Sequence, residues 1–145
     1  MSPVPHPSFW VRDRTHVWGP RVARVDPSSA GAGYRGDDFY CDVAIPHPDR
    51  LEVVHEDDRV LAFHHTRPFW AVHIVVVPKR HIPSLTAATA ADEADVRALL
   101  ELVQAVAREV ESTHGAAAVL TNLGAYQDSK HLHVHIHSGN RVVAP

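Results

Sequence analysis

Residues 131–137 read His131-Leu132-His133-Val134-His135-Ile136-His137, a strict alternation of imidazole and apolar side chains over seven positions. A period of two belongs to an extended strand and not to a helix, so the run predicts a β-strand. Leu132, Val134 and Ile136 are expected to enter a core, and the four histidines to line an open surface. Successive histidines then stand ~6.6–7 Å apart, because each residue rises about 3.3 Å. Such a row can hold a phosphate, a metal ion or a reacting centre.

The rest of the chain supplies partners for that strand. Leu51–His55 and Arg59–His64 read as two short strands joined by a turn at Glu56-Asp57-Asp58. Val72–Val77 is a β-branched run closed by Pro78, too short and too branched to prefer a helix. Ala117–Asn122 reads as a further strand and Leu123–Lys130 as a loop. One helix is expected, from Val96, Leu99, Leu100, Val103, Ala107 and Val110 at three- and four-residue spacing. Thr86 or Thr89 can cap its start, and Gly115 suits its stop. Short connections favour an antiparallel sheet with the helix on one face, an α+β domain.

Residues 1–37 are punctuated by Pro and Gly too often for regular structure. They read as a partly disordered extension in which Phe9, Trp10 and Trp18 offer packing groups, and the domain is expected over residues 38–145. A chain of 145 residues with 45% apolar and 21% charged side chains fits one domain with a real core. The net charge of −3 and the lack of a Lys/Arg cluster argue against a nucleic-acid partner. The chain has no apolar run of the ~20 residues that a membrane span needs. Cys41 is the lone cysteine, which fits a reducing compartment, so a cytoplasmic location is expected.

Two functional readings of the row compete on the residues alone. In one, two or three imidazoles bind a metal, and His131, His133 and His135 make the chain a metal-dependent hydrolase. In the other, imidazoles surround a phosphate and one attacks it, which a reference pKa near 6.5 permits at neutral pH. The preceding Gln127-Asp128-Ser129-Lys130 offers an amide, a hydroxyl and a cation, which suit oxyanion contacts at least as well as metal binding.

The row resembles the His-φ-His-φ-His-φ-φ signature (φ apolar) of the histidine triad, or HIT, family. Two further blocks and the loop between Asn122 and Gln127 match in order. One block is His55-Glu56-Asp57-Asp58-Arg59-Val60-Leu61-Ala62-Phe63-His64; the other is Val72-His73-Ile74-Val75-Val76-Val77-Pro78-Lys79-Arg80-His81-Ile82. The resemblance covers roughly residues 38 to 137. It implies a sheet-extending homodimer and cleavage at the α-phosphate of a nucleoside monophosphate conjugate, of phosphoramidate or dinucleoside polyphosphate type. In that scheme His133 is the nucleophile and becomes nucleotidylated. The His131 carbonyl accepts the nucleophile's other N–H, His135 serves the phosphate and leaving-group side, and His73 adds a fourth imidazole. Asn122 and Gln127 donate to phosphate oxygens, while Phe39, Tyr40, Val43 and Phe63 pack around base and ribose. A small-molecule nucleotide is the expected ligand, and no cofactor or metal is required.

Several positions depart from the family pattern. His65 stands where an aspartate usually accepts bonds from both ribose hydroxyls, and a neutral imidazole accepts only one. Asp128 replaces a serine that assists the leaving amine in one branch, and Ser129 can substitute for it. Phe69-Trp70 replaces small or polar residues before His73. These changes leave room for a nucleotide-binding module with residual catalysis. Some bacterial members hold structural zinc with a Cys-x-x-Cys pair and histidines. Here Asp38 and Cys41, with His81 and His131, keep half of that cysteine pair, and no metal is expected.

Overall fold

The computed structural model describes residues 34–142. Five strands run Val53–Glu56 (β1), Val60–His64 (β2), Trp70–Pro78 (β3), Ala118–Leu120 (β4) and Val134–Arg141 (β5), with one long helix, Glu93–His114 (α1). They form one antiparallel sheet in the order β1-β2-β3-β5-β4. The expected α+β architecture of about five antiparallel strands and one main helix is the one observed.

Alternation along each strand divides the core in two. Val60, Ala62, Ile74, Val76, Val134 and Ile136 turn to α1 and pack on Leu99, Leu102, Val103, Val106 and Val110. Leu61, Phe63, Val75 and Val77 turn the other way and pack on Tyr40 and Ala44, from a wide helical turn at Tyr40–Ala44. His133 and His135 share this second face. They are buried, not set on an open surface as expected: the Tyr40 ring lies against His133, and His65 and His73 crowd His135. The sequence pattern shows which side chains share a face but not what lies over it.

α1 begins through a short turn, Ala90–Asp92, where the Thr89 N–H donates to the Asp92 carboxylate at 2.9 Å. Arg80 and Arg59 reach Asp92 and Asp95 at 3.0 Å each, tying the start of the helix to the sheet. Gly115 ends it at φ 82°, a left-handed conformation that costs glycine little. The expected apolar stripe needs one correction: Leu100 is 54% exposed, and Leu102 and Val106 are buried in its place. At 100° per residue, position 100 falls beside the stripe defined by 99, 103, 106 and 110.

The last strand is also shifted from expectation. It starts at Val134, and the Leu132 N–H donates instead to the Ile82 carbonyl at 2.6 Å. It then continues past the histidines until Arg141 pairs with Trp70. Gly139 allows this with φ 82°, and a Cβ there would lie 3.0 Å from that of Ala71. Residues 1–33, including Phe9, Trp10 and Trp18, lie outside the described residues. Of the segment assigned to the extension, residues 34–37 contact the domain. The Tyr34 hydroxyl donates to Asp42, and the Asp37 carbonyl accepts the Lys130 N–H at 2.7 Å. Among the described residues, no helix is long and apolar enough to cross a membrane.

Candidate active site

Strand register places the histidines on one grid. His135 pairs with Val75 and His137 with His73, while the His65 N–H donates to the His73 carbonyl at 2.8 Å. His65, His73 and His137 therefore form one row across the sheet, with His135 in the next row and His133 beyond it. A cavity of about 510 Å³ opens over this grid. It is lined by His133, His135, His73 and His65, by Phe39, Tyr40 and Phe63, and by Asn122, Asp128 and Ser129. The Tyr40 ring lies 4.8 Å from that of His133.

Three candidate residues stay out of this cavity. The His131 side chain turns away, and its Nε2–H donates to the Pro78 carbonyl at 2.7 Å. Gln127 is buried behind the row, its amide donating to the Pro83 carbonyl at 2.7 Å and the His131 carbonyl at 3.3 Å, rather than facing a phosphate. Val43 sits on the covering turn without lining the cavity. The imidazoles of 131, 133 and 135 thus do not converge as the metal-dependent alternative requires. Consecutive members of the row serve different surroundings.

Neighbouring backbone groups fix the tautomers. The His133 Nδ1–H donates to the His131 carbonyl at 2.6 Å, so in the neutral ring Nε2 holds the lone pair. The Phe69 N–H donates to His73 Nδ1 at 3.1 Å, which leaves the hydrogen of that ring on Nε2. His73 Nε2–H then donates to His135 Nδ1 at 2.9 Å, so His135 carries its own hydrogen on Nε2. The Arg67 N–H donates to His65 Nδ1 at 2.9 Å, with the same consequence for His65. Ring nitrogens of His65, His73 and His135 lie within 4.8 Å of one another, a spacing that a metal ion could use. The two backbone donors occupy lone pairs on His65 and His73, so the trio is an array of N–H donors.

Burial keeps these rings neutral. It pushes His65 down to about 4, His73 to about 2 and His135 to about 3, with the crowding of neighbouring imidazoles adding to the effect. His133 is also lowered by burial, against the opposing pull of the His131 carbonyl and of Asp128. The Ser129 hydroxyl accepts the Phe39 N–H at 3.4 Å, tying the loop before the row to the covering turn.

The sequence reading missed part of the cavity wall: Tyr34, Thr66, Arg67, Tyr126 and Arg141 line it as well. Arg141 lies 5.9 Å from the Trp70 ring, which stacks on His137 at 3.6 Å. Extending the antiparallel register of β5 past His137 would have found Arg141. Tyr34 and Tyr126 come from irregular segments that carry no periodic signal.

A second cluster forms on the far side of His131. Cys41 Sγ lies 3.6 Å from His81 Nδ1 and 3.3 Å from His131 Nδ1. Asp38 Oδ2 lies 2.7 Å and 3.1 Å from the same nitrogens. The sulfur–nitrogen separations match those between ligands of a tetrahedral zinc with bonds of about 2.0–2.3 Å, while the shorter Asp38 contacts are hydrogen-bond distances. The bond to Pro78 leaves the His131 lone pair on Nδ1, facing the cluster. The four residues therefore fit a metal ion although one cysteine of the family's pair is an aspartate. Without an ion, burial and then Asp38 push the Cys41 thiol up to about 12.

The comparisons agree with this geometry. The family profile described as HIT domain matches residues 49–142. An uncharacterized HIT-like protein of Synechococcus elongatus is 38% identical over 95 residues, covering 65% of this chain and 83% of that protein. A histidine triad protein from Clostridium difficile superposes with a TM-score of 0.61 at 32% identity, covering 77% of this chain and 98% of the other. A hypothetical histidine triad nucleotide-binding protein from Sulfolobus tokodaii gives 0.57 at 25% identity, over 70% of each chain.

Proposed function

The chain belongs to the HIT domain family, and from that premise we propose that it is a nucleotidyl hydrolase or transferase acting through a covalent nucleotidyl-His133. The substrate is a nucleoside monophosphate joined to an amine, a phosphate or another leaving group. The observation that carries the reading is the 2.6 Å bond from His133 Nδ1 to the His131 carbonyl, which aims a lone pair from a buried ring at the cavity. The printed name of the Sulfolobus relative, nucleotide-binding, supports the ligand class.

In the first step His133 Nε2 attacks the α-phosphorus, a P–N bond forms, and the bond to the leaving group breaks opposite it. The departing atom accepts a hydrogen bond from His135 Nε2–H, the donor whose tautomer His73 and the Phe69 amide hold, and takes its proton from solvent. In the second step water attacks the same phosphorus and releases its proton to solvent, and the P–N bond breaks to free His133. Asn122 and the His135 N–H meet the oxygens where charge builds up. Phe39, Tyr40 and Phe63 supply apolar surface for the base. A zinc ion held by Asp38, Cys41, His81 and His131 would act as a structural clamp between the covering turn and the row.

The domain is read as residues 38–145, working in the cytoplasm as a homodimer that extends the sheet. The exposed edge at β4, where Val119 is 49% exposed, supports the dimer. The test of the chemistry is stereochemical. With an α-phosphorothioate substrate chiral at phosphorus, two in-line displacements give net retention. Inversion, or turnover abolished by a chelator, would favour direct attack by water at a metal. Nucleotide binding with no turnover of any conjugate would leave only a binding module.

A further inference from the structure

Position 65 has a polarity that the reaction does not use. The one lone pair in the plane of the neutral ring, on Nδ1, is taken by the Arg67 N–H at 2.9 Å. The ring stacks on His73 at 4.2 Å with an interplanar angle of 16°, which holds its orientation. Its remaining polar group is Nε2–H. His65 thus offers a ligand a donor and no acceptor, and it cannot take hydrogens from the hydroxyls of a sugar diol.

The surroundings carry the same preference. Arg67 and Arg141 line this cavity together with Thr66. Arg141 is placed through Trp70, whose ring also lies 5.0 Å from His73. Among the described residues the carboxylate that lines the cavity is Asp128, which comes from the loop before the row and acts electrostatically on His133. The charge of Arg67 acts on His65 and Arg141 lines the same cavity, while the negative charge of Asp128 belongs with the nucleophile.

We propose that His65, with Arg67 and Arg141, forms a subsite for a second anionic acceptor on the substrate, so that the preferred ligand is a nucleotide bearing a further phosphate in addition to the reacting one. This rests on the nucleotidyl reading of His133. The further phosphate belongs on the sugar, in place of a free diol, and bonds from guanidinium groups to phosphate are among the stronger ones.

The test is calorimetric binding of AMP, its 2′,3′-dideoxy analogue, adenosine 3′,5′-bisphosphate and ADP to the whole protein and to His65→Asp. The bisphosphate is expected to bind about tenfold or more tightly than AMP and than ADP, and the dideoxy analogue within about threefold of AMP. A gain for ADP alone would place the anion beside the reacting phosphorus and overturn the proposal. His65→Asp should erase the gain and create a preference for AMP over the dideoxy analogue. Arg141→Ala, at an exposed position, should reduce the gain and serves if the aspartate variant fails to fold. The proposal is also overturned if the bisphosphate gains nothing over AMP, or if the wild type prefers the diol by about tenfold. Nucleotidyl transfer to His133 without the gain would sink the subsite alone; the gain without transfer would sink the nucleotidyl reading alone.

Discussion

The His133 imidazole donates Nδ1–H to the carbonyl of His131, two residues before it, at 2.6 Å. The acceptor is backbone, so it survives any substitution of the His131 side chain. That side chain instead bonds to Pro78 and faces Asp38 and Cys41. His131→Ala is therefore expected to lower stability by about 1–3 kcal/mol while keeping kcat of the folded fraction within about tenfold of wild type. Denaturant melts and active-site-normalised rates check this. A loss equal to that of His133→Ala would mean that the ring, and not the carbonyl, serves the chemistry.

In the proposed reaction His73 acts through His135, to which it donates at 2.9 Å. Replacing it with Phe removes the donor that fixes His135 Nδ1 as acceptor, so the other tautomer becomes accessible. We expect kcat to fall by about 10²-fold or more with KM changing little, and the effect to be smallest for substrates with good leaving groups. A KM rise at constant kcat would instead assign His73 to substrate binding.

The pH dependence of stability follows from the buried rings. His65, His73 and His135 have folded pKa values lowered to about 4, 2 and 3, while an unfolded histidine titrates near 6.5. Below pH 6.5 the unfolded chain takes up protons that the folded one refuses, so unfolding becomes easier as pH falls. The protein should lose stability from pH 7 to pH 4, with each ring contributing up to about 1.4 kcal/mol per pH unit. Thermal melts across that range check the sign. His73→Phe should flatten the slope, and a Tm constant from pH 7 to 4 would contradict the assignment.

The cluster of Asp38, Cys41, His81 and His131 predicts a metal effect on folding. Zinc added to chelator-treated protein should raise Tm, because an ion that binds only the folded state stabilises it by mass action. Cys41→Ala should abolish that rise. The rate per folded molecule should depend little on the metal, since the ligands lie on the far side of His131 from the cavity. Zinc that leaves Tm unchanged would remove the clamp.

Much of the frame was legible because it rests on periodicity. The alternation of the histidine row, the β-branched run before Pro78 and the stripe of α1 each show which side chains share a face. The chain pattern could not show that Tyr40–Ala44 folds over the histidine face, because a five-residue helical turn has no repeat to read. The same cover lies against His133, while His135 is crowded by His65 and His73. Gln127 illustrates a second limit: an amide near a phosphate-binding loop has the right chemistry, but its donors go to the Pro83 and His131 carbonyls. Arg67 and Arg141 were missed because their place in the cavity depends on a turn and on register beyond the motif. His65 was legible as a departure, but its donor-only polarity depends on the Arg67 backbone amide, which no side-chain pattern reports.

The most direct measurement is a rapid quench of the protein with a radiolabelled AMP phosphoramidate into alkali, followed by peptide mapping of the label. The account predicts acid-labile, base-stable label on the peptide containing His133, formed within one turnover and absent from His133→Ala, whose turnover is lost. Turnover with no label on His133, or His133→Ala retaining the wild-type rate, would contradict it.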